Sequence, residues 1–275
     1  MTVPQLSMND GKSIPQLGFG VYRVDPAETE RIVTDALEVG YRHIDTAALY
    51  GNEEGVGAAI AKSGIPRDEL FITTKLWNTD QGEAATRAAF ASSLEKLGLD
   101  HVDLYLIHWP APGQGLFVET WQTFETFRDA GTATSIGVSN FRTQDLDRLA
   151  AETATVPVIN QIELHPFFIQ QGLRDYDAAH GILTESWGPL GHAVADVLGS
   201  GPLAPIAHAH GVSPAQIVIR WHLQHGLVVI PKSNNRDRMA QNFDVFGFEL
   251  SEHEMAAIDA LDTGVRSGAD PDTLN

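Results

Sequence analysis

Residues 70–109, LFITTKLWNTDQGEAATRAAFASSLEKLGLDHVDLYLIHW, contain a strand pattern, a helical pattern and a second strand pattern in succession. The apolar runs at residues 70–76 and 102–109 are typical of buried strands, and the segment between them has helical periodicity up to the stop signal Gly98. Two strands joined by a helix favour parallel pairing, because a parallel pair needs a crossover connection. This unit therefore predicts an α/β fold.

The same alternation extends over the whole chain. Six further strand patterns bring the total to eight, and they lie at residues 17–21, 43–47, 135–138, 158–164, 182–187 and 227–230. Helical patterns follow them at residues 27–39, 53–62, 118–130, 143–153, 173–180, 202–210, 214–225, 236–243 and 252–261. Eight strand–helix units predict a (β/α)₈ TIM barrel, with a β-hairpin over residues 3–14 in front of it and an extra C-terminal helix behind it. Since no linker-like stretch divides the sequence, we expect residues 1–275 to form a single domain.

The composition argues against several classes of function. The chain has 36 acidic and 18 basic residues, and a formal net charge of −18 is unfavourable for binding nucleic acid or an anionic membrane. It has no cysteine, which excludes disulfides, thiol catalysis and cysteine-ligated metals. The N-terminus lacks a signal-peptide pattern and no apolar run approaches the roughly 20 residues of a membrane span, so we expect a cytoplasmic protein. We also expect a monomer.

Four polar residues lie at or just beyond the ends of three strand patterns: Asp45, Tyr50, Lys75 and His108. The carboxyl ends of barrel strands meet at one mouth, where the chemistry of this fold takes place, so we expect one shared site. Taken singly, Asp45 could be a cap and Tyr50 a packing residue. Lys75, however, ends a buried strand and needs a partner, for which Asp45 is the natural candidate. Lys75 would lower the pKa of Tyr50 and make its hydroxyl a general acid, and His108 could orient a carbonyl.

The later strand patterns also end in polar or aromatic residues. Ser139 and Asn140 close the fifth strand, Gln161 lies within the sixth, and Trp187 ends the seventh. Ser139 and Asn140 could cap the next helix, and Gln161 could simply fill the barrel. Alternatively, Asn140 and Gln161 could hydrogen-bond an amide-bearing ligand, and Trp187 offers a flat face for stacking.

A basic cluster follows the eighth strand in this otherwise acidic chain. Lys232, Arg236 and Arg238 lie within seven residues and enter a helical pattern. A loop after the last barrel strand that leads into a helix N-terminus is a common phosphate site, because backbone amides and the helix dipole favour an anion. A solvated basic face is the alternative.

Several other motifs are absent or weak. Gly18-Phe19-Gly20 and Gly55-Val56-Gly57 lack the third glycine of the Rossmann fingerprint, and the P-loop and nucleophile-elbow motifs are missing. The eleven histidines do not have metal-ligand spacing, and we interpret pairs such as His222 and His225 as surface residues.

On these residues the sequence resembles the aldo-keto reductases, and in particular the bacterial 2,5-diketo-D-gluconate reductases. The resemblance runs from end to end, and it is carried by residues 40–47, 73–77, 107–110, 137–141, 160–166 and 230–233. It implies a (β/α)₈ barrel that binds NADPH without a Rossmann domain and reduces a small-molecule carbonyl substrate, such as a keto-sugar acid.

The resemblance also implies residue roles. Asp45, Tyr50, Lys75 and His108 match the catalytic tetrad, with Tyr50 as proton donor. Ser139, Asn140 and Gln161 match the holders of the nicotinamide carboxamide, and Trp187 matches the stacking residue. The other cofactor-binding positions are Gly188, Leu190, Lys232, Ser233, Arg238 and Asn242, of which Lys232, Ser233 and Arg238 match the holders of the 2′-phosphate.

We expect Tyr22, Trp77 and Trp109 to line an open pocket around His108 and Tyr50. A barrel hydrolase would need two facing carboxylates, and only Glu163 is left for that purpose. A sensor that binds NADPH with little turnover is the other alternative, since fold does not fix function.

Overall fold

The computed structural model describes residues 3–191, 198–199 and 201–275. It begins with an antiparallel hairpin of β1 (Gln5–Ser7) and β2 (Ser13–Pro15), in which Leu6 lies opposite Ile14. The main-chain N–H of Met8 donates to Lys12 O at 2.8 Å to close the turn. Met8 and Ile14 pack against residues near the amino-terminal ends of the main-sheet strands described next, so the hairpin covers that end of the sheet.

The main sheet is a parallel barrel of eight strands. These are β3 (Phe19–Gly20), β4 (His43–Asp45), β5 (Phe71–Leu76), β6 (Val102–Ile107), β7 (Ala133–Ser139), β8 (Ile159–Glu163), β9 (Leu183–Trp187) and β10 (Val228–Val229). Each strand pairs with the next, and a parallel bridge between Leu17 and Val229 joins the last strand to the first. The Gly18 N–H donates to Val229 O at 2.9 Å across this seam. The predicted barrel and its N-terminal hairpin are confirmed.

Helices follow the strands and cover the outside. They are α1 (Pro26–Val39), α2 (Glu53–Ser63), α3 (Glu83–Leu97), α4 (Phe117–Asp129), α5 (Thr143–Glu152), α6 (Gln171–Ala179), α7 (Leu203–His210), α8 (Pro214–Gln224), α9 (Arg236–Phe243) and α10 (Glu252–Asp259). Their bounds fall within a few residues of the predicted ones. Within the described ranges, no helix combines the length and apolar character that crossing a bilayer requires.

Local sequence explains several of these boundaries. Asp25 caps α1 by accepting from the Ala27 N–H, and Pro26 occupies the first turn, where a missing N–H costs nothing. Gly57 lies inside α2, and a Cβ there would come within 2.3 Å of Leu97 O. The second glycine of the Gly55-Val56-Gly57 motif therefore serves close packing of α2 on the end of α3 rather than cofactor binding.

One expectation about the histidines is wrong. His222 is fully buried, and its two ring nitrogens lie 2.8 Å from Val218 O and 3.1 Å from Leu164 O. Burial lowers its pKa to about 4, so the ring is neutral and structural. The sequence does carry a signal for this burial, because Val218 and Ile219, four and three residues before His222 on the same helix face, are apolar.

Candidate active site

A cleft of about 660 Å³ opens at the carboxyl ends of the barrel strands. It is the place where most of the predicted site residues meet. Its lining includes the following predicted residues: Tyr22, Asp45, Tyr50, Trp77, His108, Trp109, Asn140, Gln161, Trp187, Gly188, Leu190 and Lys232. Lys75 lies directly behind Tyr50 and is fully buried. The parallel register of the barrel brings these residues together, as the sequence predicts.

Lys75, Asp45 and Tyr50 form a connected group. The Lys75 ammonium donates to Asp45 Oδ1 at 2.6 Å and to the Thr46 carbonyl oxygen at 2.9 Å, and it lies 3.4 Å from Tyr50 Oη. Burial alone would lower the pKa of Lys75, but the acidic groups around it, above all the charge and hydrogen bond of Asp45, outweigh burial and raise it. Lys75 is therefore a buried cation held by Asp45 and directed at the Tyr50 hydroxyl.

The net pKa of Tyr50 differs from the sequence expectation. Burial raises the Tyr50 pKa to about 12, and the nearby Asp45 charge acts in the same direction. The Lys75 charge and hydrogen bond do lower the pKa, as predicted, but they offset only part of the burial effect. The expected net decrease is wrong, and at neutral pH Tyr50 is a phenol with a proton to give.

His108 stands beside Tyr50 as a neutral ring. Burial, and then the Lys75 charge, lower its pKa well below the ordinary value, so the imidazole carries one N–H at neutral pH. The ring centroids of His108 and Tyr50 are 5.7 Å apart, and those of His108 and Trp77 are 5.3 Å apart. A neutral imidazole next to a phenol can offer a second hydrogen bond to an oxygen bound in the cleft.

Asn140 organises the next part of the cleft wall. Its amide nitrogen donates to the His108 carbonyl oxygen and to Ser139 Oγ, both at 3.0 Å, and its amide oxygen accepts from Trp187 Nε1 at 2.9 Å. The backbone of Asn140 is in the left-handed region, with φ of 62°, which asparagine tolerates better than most residues. The predicted residues Ser139, Asn140 and Trp187 are thus linked to one another before any ligand binds.

Gln161 joins this wall to the Lys75 group. Its amide nitrogen donates one hydrogen to Asp45 Oδ2 at 2.8 Å and the other to Glu185 Oε2 at 2.9 Å. An amide nitrogen has two hydrogens, so both are used. Only the amide oxygen of Gln161 remains for a ligand, and this corrects the expectation that the side chain could serve as both donor and acceptor.

The basic cluster is smaller than predicted. Arg236 is bound to carboxylates of α1, with Nη1 at 2.7 Å from Asp35 and 2.5 Å from Glu38, so it is neutralised. Lys232 lines the cleft and makes no ion pair within the described ranges. Burial and the nearby Arg23 charge lower the pKa of Lys232. Arg23, which no sequence motif indicated, also lines the cleft.

Besides the buried Lys75, four predicted residues do not line the cleft: Ser139, Ser233, Arg238 and Asn242. Ser233 is buried and its hydroxyl donates to Asn235 O at 3.2 Å, which shapes the loop before α9. The Asn235 side chain caps α9 by accepting from the Arg238 N–H at 3.0 Å. Ser233 follows Lys232 directly, and Arg238 and Asn242 belong to α9, but unlike Lys232 these three residues do not line the cleft.

Two buried glutamates next to the cleft were not predicted to belong to a reductase site. Glu185 is fully buried and contacts Gln161 inside the barrel. Glu163 accepts hydrogen bonds from the main-chain N–H groups of Ser267 and Gly268, which belong to the C-terminal tail (residues 262–275). The period-two pattern of strands could have found Glu185, because residues 185 and 187 share a face. The tail carries no periodic signal.

The two oxygens of Glu163 accept hydrogen bonds from Ser267 and Gly268 of the tail, so this carboxylate is already bound and is not free to activate a water. The arrangement therefore does not support a barrel hydrolase, for which Glu163 was the remaining candidate carboxylate. Among the described residues, no group of three or more His, Cys, Asp or Glu side chains is placed to hold a metal ion.

The cleft fits a nicotinamide dinucleotide phosphate. It is large, and its lining combines Tyr50 with the positive charges of Arg23 and Lys232 in a protein with a net charge of −18. Gln161 and Trp187 line the same cleft. These are the group types that an amide-bearing aromatic ring with phosphates requires.

Comparison with known proteins decides the family. A model of the aldo/keto reductase family matches residues 16–263. The chain belongs to the aldo/keto reductase family. An aldo-keto reductase of Mycolicibacterium smegmatis is 54% identical over 272 residues, which are 99% of this chain and 98% of that protein. The methylglyoxal reductase DkgA of Yersinia pestis is 50% identical over 271 residues, 98% of this chain and 97% of that protein.

A solved structure of a mutant of the protein Gox0644 in complex with NADPH has a TM-score of 0.95 to this aldo-keto reductase. The two are 47% identical, and the match covers 100% of both chains. The aldo-keto reductase described here is an oxidoreductase that uses NADPH to reduce carbonyl compounds.

Proposed function

We propose that this aldo-keto reductase reduces small aldehydes or ketones with Tyr50 as the proton donor. The observation that carries the proposal is the position of the Tyr50 hydroxyl, which faces the cleft and lies 3.4 Å from the buried Lys75 ammonium. When bound, NADPH supplies the hydride that reduces the carbonyl carbon. Tyr50 passes its proton to the carbonyl oxygen as negative charge develops there, and the resulting phenolate is stabilised by Lys75.

The neighbours of Tyr50 have supporting roles. Asp45 holds Lys75 through a 2.6 Å hydrogen bond and keeps the ammonium beside the phenol oxygen. His108, as a neutral ring, donates a second hydrogen bond to the carbonyl oxygen and fixes its orientation. The two hydrogen bonds to the carbonyl oxygen are stronger in a partly buried cleft than in water, because little water competes for the oxygen.

For the cofactor, we propose that the Gln161 amide oxygen and Asn140 hold the carboxamide and that the Trp187 ring stacks on the nicotinamide. Lys232 neutralises phosphate charge, and its lack of an acidic partner within the described ranges leaves it available. The remaining proposed contacts are Ser139, Gly188, Leu190, Ser233, Arg238 and Asn242. Of these, Arg238 is exposed and can turn toward a bound 2′-phosphate.

For the substrate, we propose a small carbonyl compound, with keto-sugar acids and 2-oxoaldehydes as the first classes to test. Tyr22, Trp77 and Trp109 form an aromatic wall around His108, and the Tyr22 ring is 44% exposed. A relative of 50% identity is named a methylglyoxal reductase, which supports a compact substrate. An open aromatic wall is compatible with more than one carbonyl compound.

The test is NADPH oxidation with methylglyoxal, a keto-sugar acid and an aromatic aldehyde. Tyr50→Phe should lower the turnover rate by about 10²–10⁴-fold, the usual contribution of a general acid, and leave NADPH binding nearly unchanged. Tyr105→Phe is the matched control, because this buried tyrosine does not line the cleft and its hydroxyl has no hydrogen-bond partner within the described ranges. Normal turnover in Tyr50→Phe would refute the proton-donor role, and absence of turnover in the unmodified enzyme with every carbonyl compound would refute the function.

A second experiment tests the phosphate end. Lys232→Gly combined with Arg238→His should narrow the preference for NADPH over NADH, because the 2′-phosphate loses its charge partners. Arg236→His is the control, since Arg236 is bound to Asp35 and Glu38. An unchanged preference in the double variant would contradict the assignment.

A further inference from the structure

Beneath the Lys75 group, the barrel interior holds a second buried carboxylate that the proposed mechanism does not use. Glu185 lies in the middle of β9, is fully buried, and pairs in register with Gln161 on β8 and Val228 on β10. Its Oε2 accepts from Gln161 Nε2 at 2.9 Å, and the same nitrogen donates to Asp45 Oδ2 at 2.8 Å. A single amide group therefore bridges the two carboxylates.

This bridge completes a continuous chain of polar contacts to the reacting hydroxyl. From Tyr50 Oη it runs 3.4 Å to Lys75 Nζ, then 2.6 Å to Asp45 Oδ1, and from Asp45 Oδ2 through Gln161 to Glu185. Glu185 is thus connected to Lys75 through two intervening groups, Gln161 and Asp45, each hydrogen-bonded to the next. In an interior of low dielectric constant, a charge at that position acts on the ammonium and on the phenol beyond it.

The charges around Glu185 favour its neutral form. The groups that face it are Asp45 and His43 on β4, Lys75 on β5 and Gln161 on β8. Lys75 is the cation among them, and it is already bound to Asp45. His43 is fully buried and burial lowers its pKa to about 3, so it brings no charge. An ionised Glu185 would be a second buried anion without its own cation, which is costly.

The surroundings of the second carboxyl oxygen, Oε1, also favour the neutral form. Glu185 Oε1 has no hydrogen-bond partner among the described residues, and it lies 3.8 Å from His43 Nε2. Burial, and then the Asp45 charge, raise the pKa of Glu185 to about 8, whereas the Gln161 hydrogen bond and Lys75 oppose the increase. A carboxylic acid in this place begins to lose its proton just above neutral pH.

We propose that Glu185 is a positioning residue of the reductase site, which when neutral holds Gln161 against Asp45 and leaves the Lys75 charge free to acidify Tyr50. When Glu185 loses its proton to solvent, its negative charge offsets part of the Lys75 charge. Tyr50 becomes a weaker acid, and protonation of the carbonyl oxygen slows. The inference rests on the proposed proton-donor function of Tyr50, and it adds a buried group that limits reduction at alkaline pH.

The first test is the pH dependence of kcat for carbonyl reduction. In the unmodified enzyme we expect kcat to fall by about three- to tenfold between pH 7 and 9, since one unit in the pKa of Tyr50 corresponds to about tenfold in acidity. Glu185→Gln keeps the hydrogen bond to Gln161 but cannot ionise. Its kcat at pH 7 should stay within about twofold of the unmodified value, and the alkaline decrease should disappear.

Asp177→Asn is the matched control. Asp177 is also a buried carboxylate whose pKa is raised by burial, to about 7, but it contacts Thr184 and Asn160 on the outer side of the barrel. This variant should keep the alkaline decrease of the unmodified enzyme. The same decrease in Glu185→Gln as in the unmodified enzyme would overturn the inference, and so would loss of the decrease in Asp177→Asn alone.

A second measurement does not depend on turnover or on the folding of Glu185→Gln. Infrared spectroscopy of the ligand-free Asp177→Asn protein should show the carbonyl band of a protonated carboxyl group at pH 6.5, and the band should disappear as the pH passes about 8. If no such band is present, Glu185 is ionised at neutral pH and the inference is wrong. A protein that shows the band but reduces no carbonyl compound would refute the proposed function and leave the neutral state of Glu185 established.

Discussion

Glu163 and Glu185 lie on the neighbouring strands β8 and β9, both are fully buried, and yet the protein shifts their pKa values in opposite directions. Burial alone would raise both. At Glu163, hydrogen bonds from His165, Ser267 and Gly268 outweigh burial and lower the pKa to about 2. At Glu185, the nearby Asp45 charge adds to burial, and the pKa rises to about 8.

The difference shows that the number of donors around a buried carboxylate decides its charge. Glu163 has the N–H groups of the C-terminal tail, and Arg266 Nη1 lies 3.6 Å away. Glu185 shares one amide nitrogen with a second carboxylate. The charged glutamate holds the tail over the cleft, whereas the neutral one lies below the catalytic group, so each charge state suits a different task.

Removing Glu163 should have the largest effect on this contrast. Glu163→Ala leaves the Ser267 and Gly268 N–H groups and the Arg266 charge without their acceptor, and we expect the free energy of unfolding to fall by about 2–4 kcal/mol. Denaturant unfolding measures the loss, and limited proteolysis should cut the tail faster. An intact, protease-resistant tail in this variant would contradict the role of Glu163.

Adding a methyl group at Gly268 should disturb the same contact by steric means. A Cβ there would lie 2.5 Å from Trp187 Cη2 and 2.9 Å from Glu163 Oε2. We expect Gly268→Ala to cost about 1–3 kcal/mol and to change the tryptophan fluorescence. Gly172→Ala in α6, where a Cβ meets nothing within 4 Å, is the control and should not destabilise the protein. Equal stability of both variants would show that the tail can move away freely.

The pH dependence of stability should separate the two glutamates. The low pKa of Glu163 contributes stability above its ordinary value of 4.5 that is lost as the pH falls toward about 2. Glu185 binds its proton more tightly in the folded state, so its contribution declines as the pH rises from 4.5 to about 8. Tm should be measured across this pH range. Glu185→Gln should remove the decrease in Tm between pH 4.5 and about 8, and Glu163→Gln should reduce the decrease in Tm between pH 4.5 and about 2. If Glu163→Gln changed Tm only above pH 4.5 and Glu185→Gln only below it, the opposite pKa shifts of the two glutamates would be refuted.

The smallest effect is expected for a single donor to Glu163. Ser267→Ala removes the hydroxyl but keeps the main-chain N–H, which lies 2.7 Å from Glu163 Oε1. We expect a loss of about 1 kcal/mol, the usual net value of one hydrogen bond. A chemical-denaturation midpoint measures it, and a loss as large as that of Glu163→Ala would mean that the hydroxyl, rather than the backbone, holds the tail.

The elements of the fold could be predicted because their signals are local. The segment before the stop signal Gly98 was expected as a helix and forms α3 (Glu83–Leu97), and the apolar run that contains Lys75 is a strand. The gathering of Asp45, Tyr50, Lys75 and His108 followed from parallel strands alone. The net pKa of Tyr50 and the ion pairs of Arg236 could not be predicted in the same way. Both depend on how deeply a side chain is buried and on neighbours far away in sequence.

By itself, then, the sequence determined a barrel and the end of it that carries the chemistry, because strand and helix periodicities and the residues at strand ends are properties of neighbouring positions. The tertiary structure decided which groups are charged. Gln161 lies 116 residues from Asp45, and only the closed barrel brings its amide between two carboxylates. Ionisation follows burial and through-space partners, and these exist only once the chain is folded.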